Sequence, residues 1–389
     1  GHIKITTAAS AAATYTPSGG VARSSQGDIS GAGMTSPLSS LTVIGTSSNG
    51  KFKLTGGAGN DTLKGGGGLD TIIGGLGADE ITTGADADVV VFNLGDSNPV
   101  YTGINDTAGG QDTVKDNSIA ATATLLQFNI TSTDTSWVDT THILVGTAGT
   151  TGNVTASATQ GNTDGFKDKM VLVQTGGVAA AGVSNADPQD IAVLMNTDVS
   201  AAQAQAISVV NLTGTAAADT LTTGANNDTI NGGGGNDTID AGDGADTIDA
   251  SSGDDTVVFA DGDGIANTAD SFAGATIASG DTLTFGNGLD IVNSFQAGTG
   301  GDVLNMSVAG VPITGIGTTK GAVTATKTIF LSGAYVASTG VFTIAADGVG
   351  ADTLLFDTTT DTNLDNTSAD SFVLLVGVDS ADIVADNII

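Results

Sequence analysis

The sequence predicts an all-β protein with two parallel β-rolls, each followed by a β-rich region that is sandwich-like or extends the roll. Three observations support this fold class. A nine-residue repeat occurs in two separate blocks, and short fixed periods are typical of solenoids. Aromatic residues make up only 4%, so the core has to come from Val, Ile, Leu, Ala and Thr, which is a β composition. Only five prolines occur, and no long amphipathic helix is evident.

The first block of repeats is GGAGNDTLKGGGGLDTIIGGLGADEITTGADADVVVF, residues 56–92. In both blocks an aspartate recurs every nine residues, and a large apolar residue U follows it two places later. The repeat is therefore G-G-x-G-x-D-x-U-x. Its aspartates are Asp61, Asp70, Asp79, Asp88, Asp219, Asp228, Asp237, Asp246 and Asp255. Its apolar residues are Leu63, Ile72, Ile81, Val90, Leu221, Ile230, Ile239, Ile248 and Val257.

Each repeat predicts a turn followed by a short strand. The six residues G-G-x-G-x-D form the turn, and x-U-x forms a strand whose U side chain points inward. Two repeats make one coil, so stacked coils give two parallel sheets. Glycine tolerates positive φ and close backbone approach, so carbonyl oxygens of the turn converge beside the aspartate. Ca²⁺ takes six to eight oxygen ligands in a flexible cage, whereas Mg²⁺ requires a tight octahedron.

This repeat resembles the calcium-binding nonapeptide of the RTX (repeats-in-toxin) proteins. The expected cofactor is therefore Ca²⁺ in several copies, whose binding energy offsets the ordering entropy of the glycines. The predicted ligands are the repeat aspartates and turn carbonyls, with weak binding or none at the end repeats, Asp88 and Asp219. The glycines predicted to contribute are Gly56, Gly59, Gly65, Gly68, Gly74, Gly77, Gly232, Gly235 and Gly244.

The resemblance extends past the second block. The segment LDIVNSFQAGTGGDVLNMS is similar to the element that follows RTX repeats, and its acids Asp290 and Asp302 imply a further calcium site. The first half keeps Asp112 and Asp116 but has Thr124 where Asp302 would fall. An extra site is therefore not expected there.

The order of matching segments indicates a tandem duplication. Each roll is followed by about five strands with similar sequences. The matching pairs are QDTVKD with LDIVNSF, TLLQFNI with DVLNMSV, THILVGT with KTIFLSG, KMVLVQT with DTLLFDT, and IAVLMNTDVSAA with SFVLLVGVDSAD. The predicted regions are 1–44 (N-terminal segment), 45–95 (first roll), 96–213 (first β-rich region), 214–262 (second roll) and 263–389 (second β-rich region). The best short helix candidate is Asn185–Ala206, although its IAVLMN centre favours a strand.

The charge of the chain limits its partners. Ten basic residues against 42 acidic ones give a formal net charge of −32, which disfavours nucleic acid and anionic membranes. No apolar segment reaches the ~18 residues of a membrane span.

There is no cysteine, which agrees with a secreted bacterial protein that does not depend on disulfides. We expect no Sec-type leader in Gly1–Thr16, where no apolar segment follows basic residues.

The sequence favours a protein without catalytic activity. It contains two histidines, His2 and His142, and neither an H-E-x-x-H zinc motif nor a G-x-S-x-G elbow. His142 alternates with apolar residues in TTHILVG, so we expect it on the solvent face of a strand. Trp137, in a polar loop, is expected to be a local packing anchor, with a contact residue as the alternative.

The favoured function is a calcium-dependent structural protein of a self-assembling surface array, similar to RTX-type bacterial S-layer proteins, or of a matrix filament. The alternatives are a calcium-stiffened adhesin and the C-terminal secretion portion of a larger RTX enzyme or toxin. The expected partner is a second copy of the chain, joined through strand edges left open at HIKITTA and ADIVADNII. A cell-surface polysaccharide is a second candidate partner, bound through the N-terminal region or a region outside this sequence.

The final segment, DSFVLLVGVDSADIVADNII, resembles the tail of type I secretion substrates, which implies export to the bacterial cell surface or medium. A plain edge strand is the alternative interpretation of this segment.

Overall fold

The structure is a computed structural model of the 389-residue chain. It describes residues 2–4, 12–15, 26–45, 50–96, 112–115, 124–132, 135–148, 153–155, 169–173, 183–184, 191–195, 200–260, 269–271, 276–285, 289–306, 313–314, 328–357 and 372–389. Among these residues strands predominate. The predicted all-β fold with parallel sheets is confirmed.

The elements are short, as the nine-residue period requires. The strands up to residue 148 are β1 (His2–Lys4), β2 (Ala12–Tyr15), β3 (Gln26–Ser30), β4 (Ser40–Ile44), β5 (Lys51–Thr55), β6 (Thr62–Gly67), β7 (Thr71–Ile73), β8 (Glu80–Ala85), β9 (Val89–Asn93), β10 (Asp112–Lys115), β11 (Leu125–Thr131), β12 (Ser136–Val138) and β13 (Ile143–Ala148). Those up to residue 259 are β14 (Asn153–Thr155), β15 (Lys169–Val173), β16 (Val183–Ser184), β17 (Ile191–Met195), β18 (Ser208–Thr213), β19 (Thr220–Thr222), β20 (Thr229–Asn231), β21 (Thr238–Asp240), β22 (Thr247–Asp249) and β23 (Thr256–Phe259).

The remaining strands are β24 (Ala269–Ser271), β25 (Thr282–Thr284), β26 (Asp290–Asn293), β27 (Val303–Met306), β28 (Ile313–Thr314), β29 (Thr328–Val336), β30 (Val341–Ile344), β31 (Asp352–Asp357) and β32 (Phe372–Leu375). The helices are α1 (Asp139–His142) and α2 (Ala201–Ala206), with 3₁₀ turns at Ser380–Asp382 and Ala385–Asn387.

The first compact unit comprises residues 1–131 and 139–211. Its roll has two parallel stacks, β1–β3–β5–β7–β9–β11 and β2–β4–β6–β8–β10. Alternate repeats enter alternate stacks, so partners such as Leu63 and Ile81 lie 18 residues apart. The U side chains of this block are fully buried between the stacks. The predicted coil of two repeats is confirmed.

A small sheet closes the roll of the first unit. β17 adds to β10 in parallel, and β15 and β13 follow in antiparallel order. The alternate residues Ile191, Val193 and Met195 of β17 are fully buried, and so are Val171 and Val173 of β15. The sheet that contains β10 therefore continues past the last coil into antiparallel strands with buried apolar residues.

The second compact unit comprises residues 132–138 and 212–389. One stack is β12–β19–β21–β23–β27, and the other contains β20, β22 and β26. β32 adds to β26 in parallel, and β31 and β29 follow antiparallel. Leu331, Phe342, Phe356 and Phe372 are among the core residues of this closing sheet. The ring centroids of Phe356 and Phe372 lie 5.2 Å apart.

The two units repeat the same strand order, so the tandem duplication is confirmed. In each unit the strand after the roll receives one parallel and then two antiparallel strands, as β10–β17–β15–β13 and as β26–β32–β31–β29. β11 and β27 likewise extend the other stack of their units. These are the segments whose sequences match.

Several local predictions need correction. His142 is 1% exposed and ends the one-turn helix α1, so it lies outside the alternation of the strand that starts at Ile143. Trp137 is fully buried, as a packing anchor should be, but it lies in β12, which pairs with β19, and not in a loop. Within the helix candidate, Ala201–Ala206 form α2, which begins with a Ser200–Gln203 capping box, whereas IAVLM forms β17; residues 185–190 and 196–199 lie outside the described residues.

The end of the chain is not the open edge that the sequence suggested. β32 lies between β26 and β31, so it is not an edge strand. The last residues form 3₁₀ turns, and Ile388 then bridges Leu304 of β27. Backbone hydrogen bonds of 3.0 Å join Ile389 to Leu304 and Met306. The outer edge of β27 is thereby paired within its own unit.

The roll of the first unit also starts earlier than the aspartate repeats. β1 to β4, before residue 45, belong to its two stacks. Their coils lack the aspartate but keep buried apolar positions such as Ile29, Leu41 and Val43. The alternation of these apolar residues is the signal that could have revealed these coils.

Candidate calcium sites

The repeat aspartates form continuous columns along the turns of each roll. At eight places along these columns, Oδ1 of one aspartate accepts the backbone N–H of the aspartate one coil earlier. These bonds are 2.7–2.9 Å and join Asp61 to Asp79, Asp70 to Asp88, Asp79 to Asp112, Asp219 to Asp237, Asp228 to Asp246, Asp237 to Asp255, Asp246 to Asp290 and Asp255 to Asp302. The carboxylates therefore lock successive coils in register.

The second carboxylate oxygen is different in many of these turns. The Oδ2 atoms of Asp70, Asp79, Asp88, Asp237 and Asp255 are buried and have no hydrogen-bond partner among the described residues. An unsatisfied buried carboxylate oxygen costs free energy, because it has lost its water without gaining a donor. A cation beside it would remove that cost.

Glycine is required where these oxygens lie. A Cβ on Gly65 would contact Asp70 Oδ2 and come within 2.5 Å of the Thr83 carbonyl oxygen. A Cβ on Gly232 would lie 2.5 Å from Asp237 Oδ2 and 3.0 Å from the carbonyl oxygen of Ala250. A carboxylate oxygen and a carbonyl oxygen from the neighbouring coil thus converge on the space that the missing side chain leaves. A Cβ on Gly56 or Gly74 would likewise contact Oδ2 of Asp61 or Asp79.

The fourth residue of the turn has a different role. Gly68, Gly77, Gly235 and Gly244 have φ between 99° and 157°, in the region that favours glycine. The second residue is left-handed in the same turns, as at Gly66 and Gly75. Gly59 is an exception without positive φ, and a Cβ there would collide with the Ser39 carbonyl oxygen. These conformations permit the tight turn that brings the carbonyl oxygens together.

Burial raises the proton affinity of the carboxylates. It raises the pKa of Asp70 and Asp88 to about 7, and that of Asp79 to about 8. In the second roll burial raises the pKa of Asp237 to about 6. Neighbouring acids add to the effect, as Asp88 and Asp86 do for Asp70. Because a nearby cation favours the ionised form, protons and metal compete for these oxygens.

The donor set fits calcium. Within the described part of the chain, no three acidic or histidine side chains come together to hold a metal, so carbonyl oxygens have to complete the coordination shell. Carboxylate plus carbonyl oxygens in an adaptable cage is the set that Ca²⁺ takes. The buried Oδ2 atoms without a hydrogen-bond partner and the carbonyl oxygens beside the turn glycines provide that set in both rolls.

The aspartates beyond the repeats extend the columns. Asp112 and Asp290 are fully or nearly fully buried, and each accepts the N–H of the last aspartate of its column. Asp302 closes its own turn with a 2.7 Å bond from Gln296 N–H to Oδ2. Thr124 is buried at the corresponding place of the first unit and supplies no carboxylate. Asp116 lies outside the described residues.

Sequence reasoning missed two parts of this arrangement. The backbone N–H groups of Leu41 and Phe52, in coils without aspartate, donate to Asp61 and Asp70. Asn387 is fully buried, and its amide bonds both the N–H and the carbonyl of Gly298 and the carbonyl of Asp302, at 2.7–3.1 Å. A sequence pattern has no signal for this role of Asn387, because Gly298 and Asp302 lie 85 or more residues away.

Fold and site together define a calcium-binding parallel β-roll protein. A family model of the RTX calcium-binding nonapeptide repeat (four copies) matches residues 54–96, 211–239 and 232–266. The chain therefore carries RTX repeats in both rolls, and several repeats imply several bound Ca²⁺ ions. The comparison with curated proteins finds no match. Among the described residues no helix has the length and apolarity that crossing a membrane requires.

Proposed function

We propose that this calcium-binding RTX protein is an extracellular structural subunit that self-assembles into a surface array or filament. The observation that carries the proposal is the pair of carboxylate columns in each roll. Carboxylate oxygens bond successive coils along each column, and the buried Oδ2 atoms of Asp70, Asp79, Asp88, Asp237 and Asp255 could each bind a cation. Calcium would turn such a stack into a rigid rod only where the ion is plentiful, as it is outside the cell.

The turns of the first roll present a surface suited to contact between copies. Leu38, Leu76 and Leu94 are 77%, 51% and 37% exposed. They lie along one turn edge, since Ala58 N–H bonds the Met34 carbonyl and successive turns stack from there. Exposed leucines that follow one edge of a strongly acidic protein support an intermolecular contact. β2 is the end strand of its sheet among the described residues and offers a backbone edge as well.

Charge explains why this contact would need calcium. The net charge of −32 repels neighbouring copies, and bound Ca²⁺ lowers that repulsion. RTX repeat proteins are typically exported by type I secretion, which supports placing this chain outside a bacterial cell. The absence of catalytic histidine and cysteine motifs within the 389 residues supports a role without catalysis.

Light scattering and electron microscopy of the full chain in millimolar Ca²⁺ test the proposal. We expect large assemblies in Ca²⁺ and dissociation in EGTA. The double change Leu38→Ser with Leu76→Ser should prevent assembly without lowering the melting temperature. Val349→Ser, at a 58% exposed valine of the second unit, is the matched control and should still assemble.

A monodisperse monomer at high concentration in Ca²⁺ would contradict the array. Specific binding of that monomer on a glycan array would instead favour the adhesin. Deleting Ala381–Ile389 is a poor test of assembly, because this segment is docked on its own unit.

A further inference from the structure

The first repeat of the chain differs from the second despite a similar sequence. The turns GGAGND and GGGGLD end in Asp61 and Asp70. Both aspartates are buried, and Oδ1 of each accepts a backbone N–H from the preceding coil, from Leu41 at 2.6 Å and from Phe52 at 2.7 Å. Burial and inter-coil bonding are thus matched in the two repeats.

The two repeats differ in the hydrogen bonding of the other carboxylate oxygen, Oδ2. Oδ2 of Asp61 accepts the N–H of Gly57, the second residue of its own turn, at 2.6 Å. Oδ2 of Asp70 has no partner among the described residues. The backbone accounts for the difference, since Gly66 and Gly68 have φ of 120° and 99° while the same positions of the first turn are not left-handed.

The second roll begins in the same way. Asp219 Oδ2 accepts the N–H of Thr215 at 2.5 Å, and its Oδ1 accepts the Thr215 hydroxyl at 2.9 Å. The second and fourth positions are Thr215 and Ala217, residues that disfavour positive φ, and neither adopts it. Asp228, in the next turn, accepts a longer 3.3 Å bond from the N–H of Gly224.

From this contrast we propose that Asp61 and Asp219 close their own turns and are not calcium ligands. In both turns a backbone N–H points at the carboxylate oxygen that would hold the ion, and its positive end disfavours a cation there. The left-handed second and fourth residues found in turns such as that of Asp70 are also absent. In each roll, calcium then binds only in turns after the first repeat, because the aspartate of the first repeat is hydrogen-bonded without a metal. The inference rests on calcium binding by the repeats.

Counting bound Ca²⁺ on the full chain tests this, by calorimetric titration and by metal analysis after dialysis. Asp70→Asn removes an open oxygen and should lower the number of bound ions by at least one. Asp61→Asn is the matched variant and should bind as many ions as the unchanged protein. Asp219→Asn should do the same in the second roll. An ion lost in Asp61→Asn, as in Asp70→Asn, would overturn the inference.

Anomalous diffraction from the unchanged protein with Ca²⁺ or Tb³⁺ needs no variant to fold. We expect a metal at about 2.3–2.6 Å from the carboxylate of Asp70 and none at that distance from Asp61. A metal on Asp61 would overturn the inference and leave calcium binding intact. A chain that binds no Ca²⁺ at all would overturn the calcium function itself.

Discussion

Removing calcium should reverse the effect of pH on stability. Without metal, the pKa of Asp70 and Asp88 is about 7 and that of Asp79 about 8, against an ordinary value near 4. A carboxyl group whose pKa is raised by folding stabilises the fold while it is protonated. That contribution is complete below about pH 4 and is lost as the pH rises through the folded-state pKa values. The metal-free fold should therefore weaken progressively between about pH 4 and pH 8.

The size of the effect follows from burial. Keeping Asp70 ionised in the metal-free fold, at 1% exposure, costs up to about 4 kcal/mol relative to an exposed aspartate. A domain is stable by only about 5–15 kcal/mol, so a few such carboxylates suffice to unfold it. Calcium binds the ionised form, so with calcium the sign reverses and acid weakens the fold.

The assay is thermal unfolding followed by circular dichroism at pH 5.5, 6.5 and 8.0, in EGTA and in millimolar Ca²⁺. In EGTA the melting temperature and the β signal should fall as the pH rises, and in Ca²⁺ they should rise. The double change Asp70→Asn with Asp79→Asn should flatten the EGTA series, because it removes two of the titrating groups. A metal-free protein whose β signal and melting temperature are the same at all three pH values would refute the reasoning.

Two further predictions concern single contacts. Gly232→Ala should weaken calcium binding and lower the melting temperature, because the added Cβ would lie 2.5 Å from Asp237 Oδ2. Gly234→Ala, whose nearest contact is a serine hydroxyl at 3.3 Å, is the control in the same turn, and equal effects of the two changes in a calcium titration would contradict the prediction. Asn387→Ala should destabilise the second unit by about 1–3 kcal/mol, because it leaves buried backbone groups of the last turn unsatisfied. The exposed Asp386→Ala should have little effect in denaturant unfolding, and an equal loss in both variants would argue against a specific role for Asn387.

The sequence by itself determined the features that repeat locally. A nine-residue period places each U side chain inside and each aspartate at a turn, whatever lies further along the chain. It therefore predicted the coil, the two stacks and the calcium-type donor set. The order of matching segments likewise predicted the duplication, since similar sequences form corresponding strands.

Only the tertiary structure decided the features that depend on contacts distant in sequence. The burial of His142, the pairing of Ile388 with β27 and the clasp of Asn387 on the last turn have no local pattern. The hydrogen bonding of the two carboxylate oxygens of each aspartate also depends on the tertiary structure. Asp61 and Asp70 sit in similar motifs, yet one Oδ2 is bonded and the other is open. The backbone of the turn, packed on a different neighbouring coil in each case, makes that choice.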